Sequence, residues 1–460
     1  MIRSDKKEAG EREEILAMWQ RIFHDPAPYA AFYFEEIYEE NEVLLYEDDE
    51  EGLEVPGHGE DDMDSLRLKG MLHLNPRLLQ MQGDRLPSHY IVGVATDEEY
   101  RRQGIMKRLL HHSLRTLRDK GEMITFLMPA SEDYYLPFGF RFGAYWEEIE
   151  LEYRPASAYQ TAGVSEPDAG SHTRPRFHSP LESKEAAYRF VNHPEDGRLA
   201  ADMENELKDD IFCIHTMITD AYYRVLEKEA ASEFSRPFYV YDGDRYIGRF
   251  VVGAQDNFMM LSRISCMTED RTGFLHAILD FCEGRYHYGV YQITLDESWD
   301  RARELLSGIA GVRVFHAKST PMIMFRLLNI EKAGVRIRCR HGMELTLKLK
   351  DTHIPEQAGV YRIEASADGC RIRRLHLDDL DGPEGEQTFR TPDETRKANG
   401  MPACEPSDGG GCISIGDFTS VLFGESSDED IDRLPELTDK GKVFMKGIIP
   451  WRANCVMEYV

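Results

Sequence analysis

The sequence predicts an α/β protein of the mixed α+β kind with a mixed central sheet, and three observations lead to this fold class. A strand–loop–helix–strand pattern runs from His89 to Met128. The same order of elements returns between Met259 and Leu295. The last third of the chain carries short strand-like segments, a long loop and a short helix. Because 460 residues exceed what one ordinary core holds, we expect two or three domains.

The first pattern is a crossover unit with a helix between two buried strands. Residues 89–96 are short, apolar and β-branched, and residues 123–128 form a second apolar strand. The helix between them has a basic last turn and ends at Gly121. Its apolar positions recur at helical spacing: Ile105, Leu109, Leu110, Leu114 and Leu117.

The entrance to this helix has the chemistry of a phosphate site. A helix N-terminus offers unpaired N–H groups and the positive end of the helix dipole. Gly104 lets a phosphate approach the backbone, and Arg101 and Arg102 add charged donors. The sequence has neither the G-x-x-x-x-G-K-[ST] of a P-loop nor the G-x-G-x-x-G of a dinucleotide fold. A bare helix start with two solvated arginines is the alternative interpretation.

The strand end Val94-Ala95-Thr96, followed by R-x-x-G-x-x at residues 101–106, resembles the acetyl-CoA motif of the GNAT N-acetyltransferases. This resemblance implies that acetyl-CoA is the acetyl donor, that loop amides hold its pyrophosphate, and that its pantetheine arm pairs with the preceding strand. The residues implied in cofactor binding are Val94, Ala95, Thr96, Arg101, Arg102, Gln103, Gly104, Ile105, Met106, Lys107, Ser131 and Glu132.

A second segment resembles one particular group of acetyltransferases. Residues 131–140, SEDYYLPFGF, are similar to the S-E…Y-x-x-F-G-[FY] segment of the Eis (enhanced intracellular survival) acetyltransferases, which are long three-part proteins. The resemblance implies tandem GNAT-like domains followed by a sterol-carrier-like domain. It also implies a homo-oligomer, with a hexamer as the family's form. In the family the last domain is a structural partner, and lipid binding is the minority alternative.

We therefore expect a catalytic GNAT domain at 1–154, a second GNAT-like domain at 155–328 and a sterol-carrier-like domain at 329–460. A Pro/Gly/Ser/His-rich stretch at 154–180 is the expected linker, residues 48–64 read as a loop or loose hairpin, and residues 378–411 read as a surface loop. In the second copy the loop is shorter, and Arg271 stands two residues before Gly273. We expect this copy not to bind CoA; a second active site is the alternative.

Two residues carry the expected chemistry. The resemblance implies that Tyr135 gives a proton to the departing thiolate. Its ordinary pKa of about 10 keeps it protonated at neutral pH, but a thiol has a pKa of about 8.5. The site must therefore lower the pKa of the tyrosine or couple proton transfer to thiolate departure. The alternatives are that Tyr135 is a core aromatic residue, and that Tyr134 takes the role.

The other expected catalytic group is the terminal carboxylate of Val460, which the resemblance places in the active site. The tail 451–460 is apolar and aromatic, which suits a docked end. A carboxylate of pKa about 3.5 is a poor base for an ammonium group, so we expect it mainly to hold and orient the amine. The alternative is that the tail is an ordinary packed C-terminal strand. Glu458 is the second candidate for the base.

Composition limits the partners. A net charge of −28 argues against nucleic acid and favours cationic partners, although solubility alone also accounts for it. The eight cysteines form no C-x-x-C, so we expect neither a metal site nor a disulfide framework. We find no leader-like segment and no apolar run of membrane length, and we expect a cytoplasmic protein without a membrane span.

The expected function is transfer of the acetyl group of acetyl-CoA to a primary amine of a cationic small molecule (aminoglycoside- or polyamine-like) or of lysine. Two alternatives stay open: a peptide or protein N-acetyltransferase of narrower range, and a non-catalytic scaffold or lipid-binding protein that kept the GNAT shape. Release of CoASH with small amines separates the enzymes from the last class.

Overall fold

The fold comes from a computed structural model, which describes residues 1–47, 68–155, 188–375 and 409–456. The predicted loop at 48–64 lies outside the described residues, as do most of the predicted linker at 154–180 and of the loop at 378–411. The first part of the chain contains β1 (Ile2–Ser4), α1 (Ala9–Phe23), α2 (Ala27–Phe32), β2 (Glu42–Tyr46), β3 (Gly70–Met81), β4 (Asp84–Thr96), α3 (Ile105–Asp119), β5 (Ile124–Leu127) and β6 (Arg141–Tyr153).

The remaining elements follow in two groups. The middle part contains β7 (Tyr188–Val191), α4 (Gly197–Ile211), β8 (Ile214–Thr216), α5 (Asp220–Ser232), β9 (Ser235–Asp242), β10 (Arg245–Ala254), β11 (Met259–Cys266), α6 (Arg271–Tyr286), β12 (Val290–Asp296), α7 (Ala302–Ser307) and β13 (Val312–Leu327). The last part contains α8 (Ile330–Gly334), β14 (Met343–Lys350), β15 (Gly359–Ala365), β16 (Cys370–Arg374), β17 (Cys412–Ser414), α9 (Ile415–Phe423), α10 (Asp428–Asp432), α11 (Asp439–Gly447) and β18 (Asn454–Cys455).

Two sheets organise these elements. A mixed 14-stranded sheet has the order β1-β2-β3-β4-β5-β13-β6-β12-β11-β10-β9-β7, with β8 beside β3 and β18 beside β8. A second sheet of four strands, β16-β15-β14-β17, belongs to the last part of the chain. The predicted α/β class with a large mixed sheet is confirmed.

Helices cover the first part of the large sheet on both faces. The predicted apolar stripe of α3 is buried and packs with Leu72 and Leu74 of β3. On the other face, α1 and α2 pack with Met71 of β3. Complete burial of a side chain of this size stabilises the fold by about 1.5–3 kcal/mol, so the stripe fixes α3 firmly on the sheet.

Two strands belong to both halves of the large sheet. β13 lies between β5 and β6, with residues 321–325 opposite residues 141–145 of β6. Farther along, residues 146–152 of β6 pair with β12 on one side and with residues 313–320 of β13 on the other. The sheet is therefore continuous from the first part of the chain to the middle part.

Three local predictions from the sequence differ from the structure, and one strand was missed. The aromatic pattern at 29–38 predicts a helix, which is α2 continued by a π-helix, Tyr33–Ile37, and a short 3-10 turn. Residues 182–229 have a largely helical pattern, but they also contain strands β7 and β8. The pattern at 335–338 predicts a strand, but these residues follow α8 without entering a sheet. The sequence analysis did not find β13, whose first half is largely exposed and so lacks an apolar run.

Candidate functional site

A cleft opens between β4 and β5. The two strands are parallel and share the single bridge between Tyr90 and Phe126. β5 then ends at Leu127, whereas β4 continues to Thr96. Residues 91–96 thus have no partner strand on the β5 side within the described ranges. The polar backbone groups along such an edge can pair with an extended ligand.

A bulge bends β4 at the cleft. The register with β3 shifts between Met71, opposite Ala95, and His73, opposite Val92. Gly93 lies in this shift with a φ of +59°. A β-carbon there would lie 2.5 Å from the Trp19 ring, so the close approach of α1 also requires glycine.

The entrance to α3 lies at the end of β4 and exposes consecutive backbone donors. Gly104 is the N-cap residue, with a φ of +79° and no side-chain cap. Among the described residues, the N–H groups of residues 102–107 have no hydrogen-bond acceptor. No atom lies within 4 Å of a β-carbon built on Gly104. The open space and the unpaired amides fit a pyrophosphate.

The residues predicted for cofactor binding lie on three segments: the end of β4, the entrance to α3 and the segment after β5. Val94, Ala95 and Thr96 end β4, with Ala95 buried. Arg101, Arg102, Gln103 and Lys107 are exposed, whereas Ile105 points into the core and Met106 is half-buried. Arg101 lies 3.2 Å from the Glu98 carboxylate in an exposed pair, which is easily exchanged for a ligand. Ser131 and Glu132 lie on the segment that follows β5.

Tyr135 is buried and its neighbour is not. Its side chain is 8% exposed and packs edge-on against Phe140, whereas Tyr134 is 57% exposed. Burial, with a small effect of Tyr134, raises the pKa of Tyr135 to about 12. The phenol is therefore a protonated donor at neutral pH, and the protein alone does not lower its pKa toward that of a thiol.

The backbone that follows Tyr135 is held by residues from distant parts of the chain. The buried Arg326 of β13 donates from Nε to the Phe138 carbonyl oxygen, at 2.7 Å, and from Nη2 to Asp351, also at 2.7 Å. His353 donates from Nε2 to the Pro137 carbonyl oxygen, at 2.7 Å. We call Arg326, Asp351 and His353 the clamp. The sequence analysis missed it, and only a buried arginine in an apolar run (MIMFRLL) signals it.

The clamp also has a defined protonation state. Because Nε2 of His353 donates to a carbonyl group, its Nδ1 accepts from Nε2 of His111 in α3, at 2.7 Å. Burial lowers the pKa of both imidazoles, and for His111 the adjacent His353 contributes as well. Both rings are neutral at pH 7, which this donor–acceptor chain requires.

A buried polar cluster lies behind the bulge in β4. The Tyr33 hydroxyl group donates to Asn75 Oδ1, at 3.1 Å, and accepts from Asn41 Nδ2, at 2.9 Å. It also lies 3.0 Å from His73 Nδ1. Burial, and to a lesser degree Lys7, lower the pKa of His73 to about 3, so the imidazole is neutral. The sequence analysis missed this cluster, although a histidine and an asparagine in an apolar strand are its signal.

The middle part of the chain repeats the arrangement of two parallel strands joined by a helix, but here a side chain caps the N-terminus of the helix. β11 and β12 are parallel and bridged by α6, like β4, β5 and α3. At the start of α6, however, the Asp270 carboxylate accepts from the Gly273 N–H, at 2.8 Å. A negative group thus occupies the position where the first copy offers open amides. That the second copy does not bind CoA stays a prediction.

Val460 and Glu458 lie outside the described residues, so their roles stay predictions. The residues just before them are buried between the halves of the large sheet. β18 pairs with β8, and Asn454 Nδ2 donates to the Gly143 carbonyl oxygen of β6, at 2.7 Å. β18 runs parallel to β8 and therefore antiparallel to β3, with Asn454 level with Met81 and Cys455 level with Gln80.

Two further features bear on the class of protein. In the ranges that the structure describes, no group of three or more His, Cys, Asp or Glu residues has a metal-binding arrangement. No described helix combines the length and the apolar character needed to cross a membrane.

Comparison with known proteins identifies the first part of the chain. Residues 4–143 match the family model of the acetyltransferase (GNAT) domain. The chain thus contains a GNAT acetyltransferase domain, and its enzyme class is that of the N-acetyltransferases. Domains of this class take acetyl-CoA as the acetyl donor. No curated protein matches the sequence.

Solved structures match the fold over the whole chain. A probable N-acyltransferase from Enterococcus faecalis aligns with a TM-score of 0.70 at 13% identity, covering 100% of both chains. A GCN5-related N-acetyltransferase from Anabaena variabilis aligns at 0.67 and 12% identity, covering 99% of both chains. Eis1 from Mycobacterium abscessus aligns at 0.59 and 13% identity, covering 99% of this chain and 100% of that one. At these identities the likeness concerns the fold.

Proposed function

We propose that this protein transfers the acetyl group of acetyl-CoA to a primary amine of a cationic small molecule, aminoglycoside- or polyamine-like, or of lysine. The observation that carries the proposal is the row of unpaired amides at residues 102–107, at the end of the strand edge that lines the cleft. The pyrophosphate would bind these amides with Arg101 and Arg102 beside it. The pantetheine arm would pair with residues 91–96 and bring the thioester toward Tyr90.

Carboxylates near the cleft support a cationic acceptor. Burial raises the pKa of Tyr29 of α2, and Glu229, Tyr90 and Glu233 add to the effect. Tyr29 thus lies within electrostatic reach of both the bridge of the cleft and the acidic end of α5. At the end of α5, Glu233 is an exposed carboxylate beside Glu229, which pairs with Arg263. An exposed carboxylate attracts an ammonium group.

The residue roles in this proposal are as follows. Tyr135 gives a proton to the sulfur as the C–S bond breaks, and the clamp positions the backbone on which Tyr135 lies. The carboxylate of Val460 holds and orients the acceptor amine, with Glu458 as the second candidate. The division at 1–154, 155–328 and 329–460, the sterol-carrier-like last part, the homo-oligomer and the cytoplasmic location remain predictions from the resemblance and the sequence.

Replacing Gly104 with aspartate tests the phosphate seat. Gly104→Asp places a negative side chain beside the unpaired amides, where it would repel the phosphate of CoA. We therefore expect the affinity for CoA to fall by at least about 10²-fold. Titration calorimetry with CoA measures the change. Gly83→Asp is the matched control, because Gly83 also has a positive φ, of +83°, and open space around its β-carbon. Equal affinities for the two variants would exclude phosphate binding at residue 104.

Replacing Tyr135 with phenylalanine tests the proton donor. Tyr135→Phe keeps the buried ring and removes only the hydroxyl group, so we expect unchanged CoA affinity and a kcat lower by about 10²-fold or more. Tyr134→Phe, on the exposed neighbour, is expected to be mild. A thiol-release assay with spermidine, an aminoglycoside and a lysine peptide measures both variants. If Tyr134→Phe is the slower enzyme, the donor is Tyr134.

The same assay separates the alternatives. A peptide or protein N-acetyltransferase would release thiol only with the lysine peptide. A scaffold or lipid-binding protein would release none with any of the three amines. The net charge of −28 favours cationic small acceptors, because a long-range negative potential attracts them.

A further inference from the structure

Two side chains support the bulge in β4 from the side of the sheet that α1 covers. A β-carbon built on Gly93 would lie 2.5 Å from the Trp19 ring and 3.0 Å from His73 Cδ2, so both rings lie against this residue. The two rings also contact each other edge-on, with centroids 5.2 Å apart. His73 lies opposite Val92, directly before the register shift. Its imidazole therefore supports β4 where the strand bends.

One hydroxyl group holds this imidazole in position. The Tyr33 hydroxyl group donates to Asn75 Oδ1 and accepts from Asn41 Nδ2. Its second lone pair therefore accepts from His73 Nδ1, at 3.0 Å. The hydroxyl group thus uses its donor and both lone pairs, which fixes the orientation of the His73 ring. All four side chains of this cluster behind β4 are buried, so bulk water does not compete for these bonds.

The cluster behind β4 also reaches the start of the edge that lines the cleft. Asn75 lies opposite Tyr90, at which β4 and β5 share their bridge. Two positions earlier on β3, His73 lies opposite Val92. The cluster is therefore attached to both ends of the stretch in which β4 leaves β5 and begins to bend. It fixes the backbone at 90–93 relative to α1 and to the π-helix that follows α2.

The cluster behind β4 is more polar than packing alone requires. Within the described residues, three of its buried atoms have no hydrogen-bond partner: His73 Nε2, Asn75 Nδ2 and Asn41 Oδ1. Apolar side chains of similar shape would avoid the cost of burying these atoms. Tyr33 also begins the π-helix Tyr33–Ile37, a rare kind of segment that is often found at functional sites. Such departures from the most stable packing are expected where geometry serves function.

We infer that His73 is a positioning residue for acetyl transfer. Through the bulge it sets the path of residues 91–96, the edge with which the pantetheine arm would pair, and thereby the position of the thioester. His73 is fully buried behind the strand, so it acts through the backbone at Gly93 and not by contact with the cofactor. This role rests on the proposed function, because the same edge would hold acetyl-CoA.

Two ligands separate positioning from folding in the experiment. CoA has the pantetheine arm, whereas ADP keeps a pyrophosphate and lacks the arm. His73→Leu removes the hydrogen bond to Tyr33, and we expect its affinity for CoA to fall by about 10-fold, the loss expected for one hydrogen bond. Its affinity for ADP should not change. We also expect kcat to fall by about 10- to 10²-fold, because the thioester is misplaced.

Two further variants accompany His73→Leu. His73→Asn keeps an N–H group the same number of bonds from Cα as Nδ1, so it should restore the affinity for CoA and most of kcat. His215→Leu is the matched control, because His215 is also fully buried in a strand and hydrogen bonded, to Asp209 at 3.0 Å. This control should lower stability without changing the ratio of the affinities for CoA and ADP. Titration calorimetry measures both affinities, and circular dichroism shows that each variant is folded.

The outcomes distinguish this role from the proposed function. Equal loss of affinity for both ligands in folded His73→Leu, or no loss for either, would overturn the role of His73, while CoA binding by the native chain upholds the proposed function. A native chain that binds neither ligand would overturn both. If His73→Leu does not fold, Tyr33→Phe replaces it with the same expected results, since it keeps the buried ring and removes only the hydroxyl group that holds the imidazole.

Discussion

Residues 1–154 expressed alone are expected to show no cooperative unfolding transition and no CoA affinity. This segment includes every residue proposed for CoA binding but lacks β13, which separates β5 from β6 in the sheet. Four buried apolar side chains of β13 would leave the core: Ile323, Met324, Phe325 and Leu327. Each stabilises the fold by about 1.5–3 kcal/mol, and the sum is comparable to the whole stability of a typical domain, about 5–15 kcal/mol.

A matched chain restores only the missing strand. Tyr153 lies opposite Val312, and the Arg154 N–H donates to the Gly311 carbonyl oxygen, so the ends at 154 and 311 are adjacent. Joining residues 1–154 to 311–327 through an Asn-Gly turn rebuilds the hairpin. We expect this joined chain to regain a cooperative thermal transition by circular dichroism. A cooperative transition of residues 1–154 alone would show that β13 is dispensable.

Asp351→Ala is expected to destabilise the full chain by about 3–5 kcal/mol, the usual cost of leaving a buried charge without its partner. The lost partner is Arg326, which is fully buried and also holds the Phe138 carbonyl group. We further expect a lower kcat in the folded fraction, because the segment after Tyr135 loses its fixed position. Urea unfolding and the thiol-release assay measure the two effects.

An exposed ion pair next to Asp351 gives the control. Lys350 and Glu436 are about half exposed, so Glu436→Ala should change stability by less than about 1 kcal/mol. Burial acts to raise the pKa of Asp351, but Arg326 and hydrogen bonds lower it below its usual value. Its stabilising effect is therefore present above a pH of about 4 and is lost as the pH falls further. Equal unfolding midpoints for the two variants would show that the clamp contributes nothing to stability.

The sequence predicted what depends on local spacing. The apolar period of α3, Gly104 at its entrance and the strands on either side are all close in the chain, and the structure confirms these elements. The repeat around α6 was found in the same way. Such features follow from residues three or four positions apart, which a single sequence displays directly.

What the sequence did not predict depends on residues far apart in the chain. The clamp joins Pro137 to His353, and the cluster behind β4 joins Tyr33 to His73. In β13, residues such as Phe315 and Lys318 are exposed, so its first half shows no pattern of a central strand. Position in a sheet is decided by partners that spacing along the chain does not reveal.

The sharing of β6 and β13 also limits how the protein can move. These strands have 13 and 16 residues, and their ladder extends across both halves of the large sheet, with register shifts at 314–316 and 321–324. A hinge between the halves would have to break this ladder, whereas hinges ordinarily lie in loops or at the ends of elements. We therefore expect the halves to move as one body. Entry of the amine and exit of its acetylated product would then depend on side chains and loops at the cleft.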